Sequence, residues 1–234
     1  MPLPTAKTER EPNYLKKKYL VYGEPKIGKS TIVSHMGDDD NKVLFFATEQ
    51  GHTELEIYKW TKDNGDDPLT WDDFRQCVME VTKEDAGFSC LAVDTIDNLY
   101  MWCASYICKK HKVEHESDLA FGKGYNLIKE EMMKVINYLT QKGIGVIFIS
   151  HKSDSEKTKD GRKVSCIEPS LANTGKKVIT GLCDYIMYFY ADGEGVRLIR
   201  TKGTESIQAG DRSGKLPAVL EMDSEKLKQL LKGE

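Results

Sequence analysis

Residues 23–30 read GEPKIGKS. The pattern is G-x-x-x-x-G-K-S, and its surroundings decide the fold. Residues 18–22, KYLVY, are an apolar strand, and residues 29–36, KSTIVSHM, are a helix. A glycine-bounded turn leading from a buried strand into a helix is a phosphate cradle. Gly23 and Gly28 permit the tight backbone that points successive N–H groups inward. The helix N-terminus adds the positive end of its dipole. Gly23, Glu24, Pro25, Lys26, Ile27, Gly28, Lys29, Ser30 and Thr31 are therefore the candidate nucleotide-binding residues. Lys29 is assigned to the β- and γ-phosphates of ATP and Ser30 to Mg²⁺. With no nucleotide bound, Lys29 is expected to face solvent. The plain alternative is a glycine turn that only joins strand to helix.

Working outward, short apolar runs alternate with amphipathic stretches. Strands are predicted at Lys18–Tyr22, Val43–Ala47, Ser89–Val93, Gly145–Ile149, Asp184–Tyr190, Val196–Thr201 and Ala218–Glu221. Helices are predicted at Lys29–His35, Trp71–Lys83, Ile96–Lys112, Tyr125–Lys142, Gly175–Leu182 and Ser224–Lys232. The strands are continuously apolar rather than alternating, which argues for a sheet covered on both faces. The expected class is α/β, a mostly parallel central sheet with helices on both faces. Ligands of such sheets bind beyond the carboxyl ends of the strands. Residues 1–17 read as an N-terminal extension and 18–234 as one core domain.

Composition narrows the classes further. Of 234 residues, 39% are hydrophobic and 30% charged. The runs VLFFA, GIGVIFI and YIMYFYA can only be core, and each is too short to cross a membrane. The N-terminal stretch has no apolar run, so no signal peptide is expected. The six cysteines lack a dense framework spacing and read as reduced thiols of a cytoplasmic protein. A net charge of −3 excludes a wholly basic nucleic-acid coat but leaves room for a local basic groove.

Further polar residues end the predicted strands. FSCLAVD, residues 88–94, closes on Asp94, which is assigned to the Mg²⁺ shell. The next residue is Thr95, so a carboxylate that orients water must come from elsewhere. Glu49, at the end of VLFFAT, would reach the same edge from a neighbouring parallel strand and polarise a water. Its alternative is an exposed loop-opening glutamate. Ser150 and His151 end the strand GVIFIS, where a polar side chain can sense the γ-phosphate.

In this order the segments GEPKIGKST, FFATEQG, LAVDTIDNLY, FGKGYNLIKEEM, GVIFISHK and CDYIMYFY resemble the RecA-like P-loop ATPase core. They look more closely like the phage nucleotide-binding proteins that include Sak-type single-strand annealing recombinases. The resemblance implies Glu49 as the water-activating residue, His151 as the γ-phosphate sensor, and DNA-contacting loops after the Asp94 helix and after His151. It implies a homo-oligomer, ring or filament, in which Arg200 and Lys202 reach the neighbouring subunit's nucleotide. A plain surface cation is the alternative for each. If phage-encoded, the protein would work in the host cytoplasm. The chain ends soon after the core, so annealing is expected rather than strand exchange.

Nucleic-acid signals are local. Residues 152–171 join a strand to a helix, with Lys152, Lys157, Lys159, Arg162 and Lys163 set against Asp154, Glu156, Asp160 and Glu168. Asp160-Gly161 is a hairpin-turn signal. A basic ribbon there suits the backbone of single-stranded DNA; a solvated hairpin is the alternative. Residues 109–125 mix Lys109, Lys110, Lys112 and Lys123 with Phe121 and Tyr125, a combination that can stack single strands or pack as a helix connection. Cys103, Cys108, His111 and His115 do not have the spacing of a compact zinc site. The expected function is a Mg²⁺-dependent ATPase that binds single-stranded DNA. The alternatives are a non-hydrolysing nucleotide-gated module and a P-loop small-molecule kinase.

Overall fold

β1 (Lys18–Gly23) lies in the middle of the sheet. The computed structural model describes Leu3, Lys7, residues 11–62 and residues 68–233. After β1 come α1 (Lys29–Ser34), β2 (Lys42–Ala47), β3 (Tyr58–Lys59) and α2 (Trp71–Val81). They are followed by β4 (Phe88–Asp94), α3 (Ile96–His111), α4 (Lys123–Gln141), β5 (Gly145–Lys159), β6 (Arg162–Pro169) and α5 (Asn173–Leu182). The chain closes with β7 (Tyr185–Ala191), β8 (Arg197–Arg200), β9 (Gly210–Asp211), β10 (Val219–Glu221) and α6 (Ser224–Lys232).

The strand order is β10-β8-β7-β1-β5-β4-β2-β3, with β6 on β5 and β9 on β7. From β7 to β3 every neighbouring pair is parallel, while β8 and β10 add an antiparallel margin. Side chains alternate between the faces. Tyr19, Val21, Phe45, Ile147, Met187 and Phe189 join Ile32 and Val33 of α1 and Leu227 and Leu231 of α6 in one core. Leu20, Phe46, Leu91, Val93, Val146 and Phe148 join the apolar faces of α2, α3, α4 and α5 in the other. The mostly parallel sheet with helices on both faces is therefore as expected. Phe148 is fully buried, and truncating such a side chain to Ala costs about 3–5 kcal/mol.

The differences from expectation have physical reasons. Tyr14 and Leu15, placed in the extension, are buried, and Tyr14 Oη donates to the Met36 carbonyl at 2.5 Å. The packed part thus begins ahead of residue 18. The extension's other positions, apart from Leu3, Lys7 and residues 11–17, lie outside the described residues. β5 does not stop at Ile149. It runs on for 15 residues in all and pairs antiparallel with β6. Beyond the sheet core this strand has no apolar surface to cover, so its residues are polar and its pattern fades. Asp160 (φ 48°) and Gly161 (φ 76°) form the turn with both central residues left-handed, the geometry that matches strand twist. α3 ends where Lys112 turns left-handed at φ 56°, so His115 lies beyond the helix. α4 starts at Lys123, ahead of the expected Tyr125, so Lys123 stands on the first helical turn. β3 and β9, of two residues each, are too short to leave a pattern.

Candidate active site

The register brings the strand ends together. Ala47 of β2 pairs with Asp94 of β4, Asp94 with Ile149 of β5, and Gly23 of β1 with His151. Glu49, Asp94, Ser150 and His151 thus flank the phosphate loop at one carboxyl edge. Gly23 is required by packing, since a Cβ there would lie 2.2 Å from the Phe189 carbonyl oxygen of β7. Gly28 is required by its backbone, at φ 108°. A Cβ on it would also meet Met222 Cε at 2.6 Å, with Arg197 Nη1 at 3.6 Å.

Lys29 is buried rather than solvent-facing, at 6% exposure. Its ammonium folds back over the loop and donates to the carbonyls of Gly23 (3.1 Å) and Glu24 (2.8 Å). Both acceptors are backbone carbonyls of the loop itself. Burial lowers the Lys29 pKa, and the charges of Asp94, Glu49, Asp97 and Glu24 oppose that shift. An ammonium has three N–H donors, so a lysine held this way suits an incoming anion.

Ser30 Oγ donates to Asp94 Oδ2 at 2.5 Å. A hydroxyl and a carboxylate side by side are hard oxygen donors of the kind Mg²⁺ takes. His52, which the sequence reading passed over, places Nε2 2.8 Å from the same Oδ2.

Glu49 is 40% exposed at its side chain. Its Oε1 accepts from Thr95 Oγ1 (2.9 Å) and Asn98 Nδ2 (3.2 Å) and lies 3.5 Å from His151 Nε2. These contacts orient the carboxylate through one oxygen and leave Oε2 for a water. Thr48 and Thr95 bind each other across the strand ends, with Thr95 N–H donating to Thr48 Oγ1 at 2.7 Å.

Asp97 also escaped the sequence reading. It accepts from Ser150 Oγ at 3.1 Å and from Ser170 Oγ, so it joins the middle of β5 to the segment that follows β6. Ser170 N–H closes the hairpin base on the His151 carbonyl at 2.9 Å. Lys152, the next residue of β5, pairs with Glu24 of the phosphate loop at 2.8 Å. That hydrogen bond is the main reason the Lys152 pKa is raised.

The candidate DNA residues are spread out. Lys157 pairs with the buried Glu168 at 2.5 Å, and Lys176 of α5 pairs with the other oxygen at 2.6 Å. Ser155 Oγ donates to that same oxygen at 3.0 Å. Burial raises the Glu168 pKa, but the Lys157 and Lys176 hydrogen bonds outweigh it and hold the group at about 2. Arg162 and Lys163 are exposed at the hairpin tip, Lys163 lying 3.5 Å from Glu156. The side chains of Lys159 and Phe121 lie outside the described residues. Lys123 is exposed on α4, apart from the hairpin in the chain. Arg200 is half-buried on β8 with an unpartnered Nε, and Lys202 is exposed just beyond. The β8 cation beside Gly28 is Arg197. Positions 197 and 200 are an odd number apart and face opposite sides of the strand.

All six cysteines are buried and unpaired. Among the described residues no cluster of His, Cys, Asp and Glu could hold a metal by itself, and no helix is long and apolar enough to cross a membrane. The family model described as an AAA domain matches residues 15–213. No curated protein matches the chain.

Proposed function

From the premise that the chain belongs to the AAA domain family, a family of nucleotide-binding P-loop proteins, we propose that it is a Mg²⁺-dependent ATPase whose nucleotide state is read out by the β5–β6 hairpin on single-stranded DNA. The observation that carries the reading is the convergence of Lys29, the Ser30–Asp94 pair and Glu49 at one edge of the sheet. Lys29 exchanges its loop carbonyls for the β- and γ-phosphate oxygens of ATP. The preorganised cation then stabilises charge that grows during transfer. Ser30 and Asp94 would hold Mg²⁺, which when bound neutralises phosphate charge. Glu49, fixed through Oε1 by Thr95 and Asn98, orients a water through Oε2 and takes up its proton. His151 sits between that carboxylate and the hairpin, 3.5 Å from Glu49.

Support for the DNA reading comes from continuity. One strand runs from the buried Ile149 at the site to Lys159 near the hairpin tip. The Lys152–Glu24 pair ties its root to the phosphate loop. Exposed Arg162 and Lys163 then meet the sugar-phosphate backbone, and annealing of strands is the activity this arrangement serves. In a ring or filament of copies, Arg200 and Lys202 serve the neighbouring subunit's nucleotide.

Incubation with γ-labelled Mg-ATP, resolved by thin-layer chromatography, tests the reaction class. Release of labelled phosphate is expected. Label on a small acceptor would mark a kinase, and bound but unaltered ATP would mark a nucleotide-gated module.

A further inference from the structure

Among the described residues, Asp94 takes both of its side-chain hydrogen bonds on one oxygen, Oδ2, from Ser30 and from His52. An ionised carboxylate only accepts, so His52 Nε2 is the donor of this bond. The His52 side chain is 5% exposed and lies edge-on to Phe45, with ring centroids 6.0 Å apart. Its Nδ1 is buried with no partner. An unsatisfied buried nitrogen is costly, so packing alone does not account for a histidine here. What the imidazole gains is the bond to Asp94.

We propose that His52 is a positioning residue for the divalent cation that accompanies the nucleotide. By holding Oδ2 it fixes the Asp94 rotamer that keeps this oxygen on Ser30, so that hydroxyl and carboxylate are already paired when the cation arrives. The inference rests on the reading of Ser30 and Asp94 as the metal-holding pair. His52 lies in the connection between β2 and β3, three residues past Glu49 in the chain. The connection that carries the water-orienting carboxylate therefore also carries the brace for the metal site. Partners of this kind orient a ligand without touching the ion, and their loss typically costs about 10- to 100-fold in metal affinity.

The test uses Mn²⁺ as the probe, with ADP present, and follows free Mn²⁺ by electron paramagnetic resonance. His52→Leu keeps an apolar body against Phe45 and removes the donor. It is expected to weaken Mn²⁺ binding by about 10- to 100-fold, while metal-free ADP binding stays as in the parent. His52→Gln places an amide N–H near the position of Nε2 and is expected to restore most of the affinity. His52→Asn is polar but too short to reach Oδ2. If the Leu variant fails to fold, the Gln–Asn pair decides, with Gln expected to bind tightly and Asn weakly. A Leu variant that binds Mn²⁺ like the parent, or Gln and Asn variants of equal affinity, would overturn the proposal. A parent that holds neither ADP nor Mn²⁺-ADP would overturn the nucleotide-site reading itself and this proposal with it.

Discussion

Replacing Glu168 by Gln removes the charge that ties the hairpin to α5. In the native protein this buried carboxylate binds Lys157, Lys176 and Ser155. Its pKa is held at about 2 against an ordinary value of 4.5. A carboxylate depressed by that amount stabilises the fold by about 3 kcal/mol at neutral pH. A second route reaches the same size. Removing one member of a buried ion pair strands the other, at about 3–5 kcal/mol, and Lys176 has a side chain only 14% exposed. Lys157 is half-exposed, so water and salt screen its share. The pH dependence has a definite sign. The folded-state pKa is lowered, so the stabilisation is full above the unfolded pKa and is lost as pH falls through the folded one. It should shrink from about 3 kcal/mol at pH 7 to about 1.4 at pH 3 and about 0.4 at pH 2, and vanish near pH 1. Urea denaturation of parent and Glu168→Gln, followed by tryptophan fluorescence at several pH values, measures the difference directly. A gap below about 1 kcal/mol at pH 7, or one that does not narrow by pH 3, would refute the reasoning.

Other consequences follow from the site. Lys29→Ala should abolish the thermal shift given by Mg-ATP, worth about 2.7 kcal/mol at 100 times Kd, while the ligand-free melting temperature stays close to the parent's because the lost cation was buried at a desolvation cost. Differential scanning fluorimetry checks both. Arg162→Ala with Lys163→Ala should weaken single-strand binding in fluorescence anisotropy and reduce the salt slope by about one per cation removed. Lys157 is left intact in that variant, because its loss would break the Glu168 cluster and confuse affinity with stability.

The sheet was legible because its strands are buried on both faces and read as unbroken apolar runs. The phosphate loop and Asp94 were legible because each is contiguous with such a run. The placement of Glu49 at the same edge as Asp94 followed from the same logic, and the Ala47–Asp94 register explains why. What escaped depends on contacts distant in sequence. His52 and Asp97 stand in ordinary local contexts, and only the fold brings them to Asp94 and to Ser150 and Ser170. Glu168 reads as one more charge on a polar ribbon, yet cations from two different elements bury it. The inward fold of Lys29 was hidden too, since a motif does not say that the Gly23 and Glu24 carbonyls lie within reach of the ammonium.

The central claim is tested most directly by measuring ATP binding and phosphate release side by side in the parent and in Glu49→Gln, with and without a single-stranded oligonucleotide. The substitution keeps the shape of the side chain and its contacts through Oε1, and removes the base. The parent should release phosphate only with Mg²⁺, and faster with the strand, while Glu49→Gln should bind ATP as tightly and lose most of its turnover. Equal turnover in the two proteins would contradict the assignment of Glu49, and a parent that binds ATP but releases no phosphate under any of these conditions would contradict the ATPase itself.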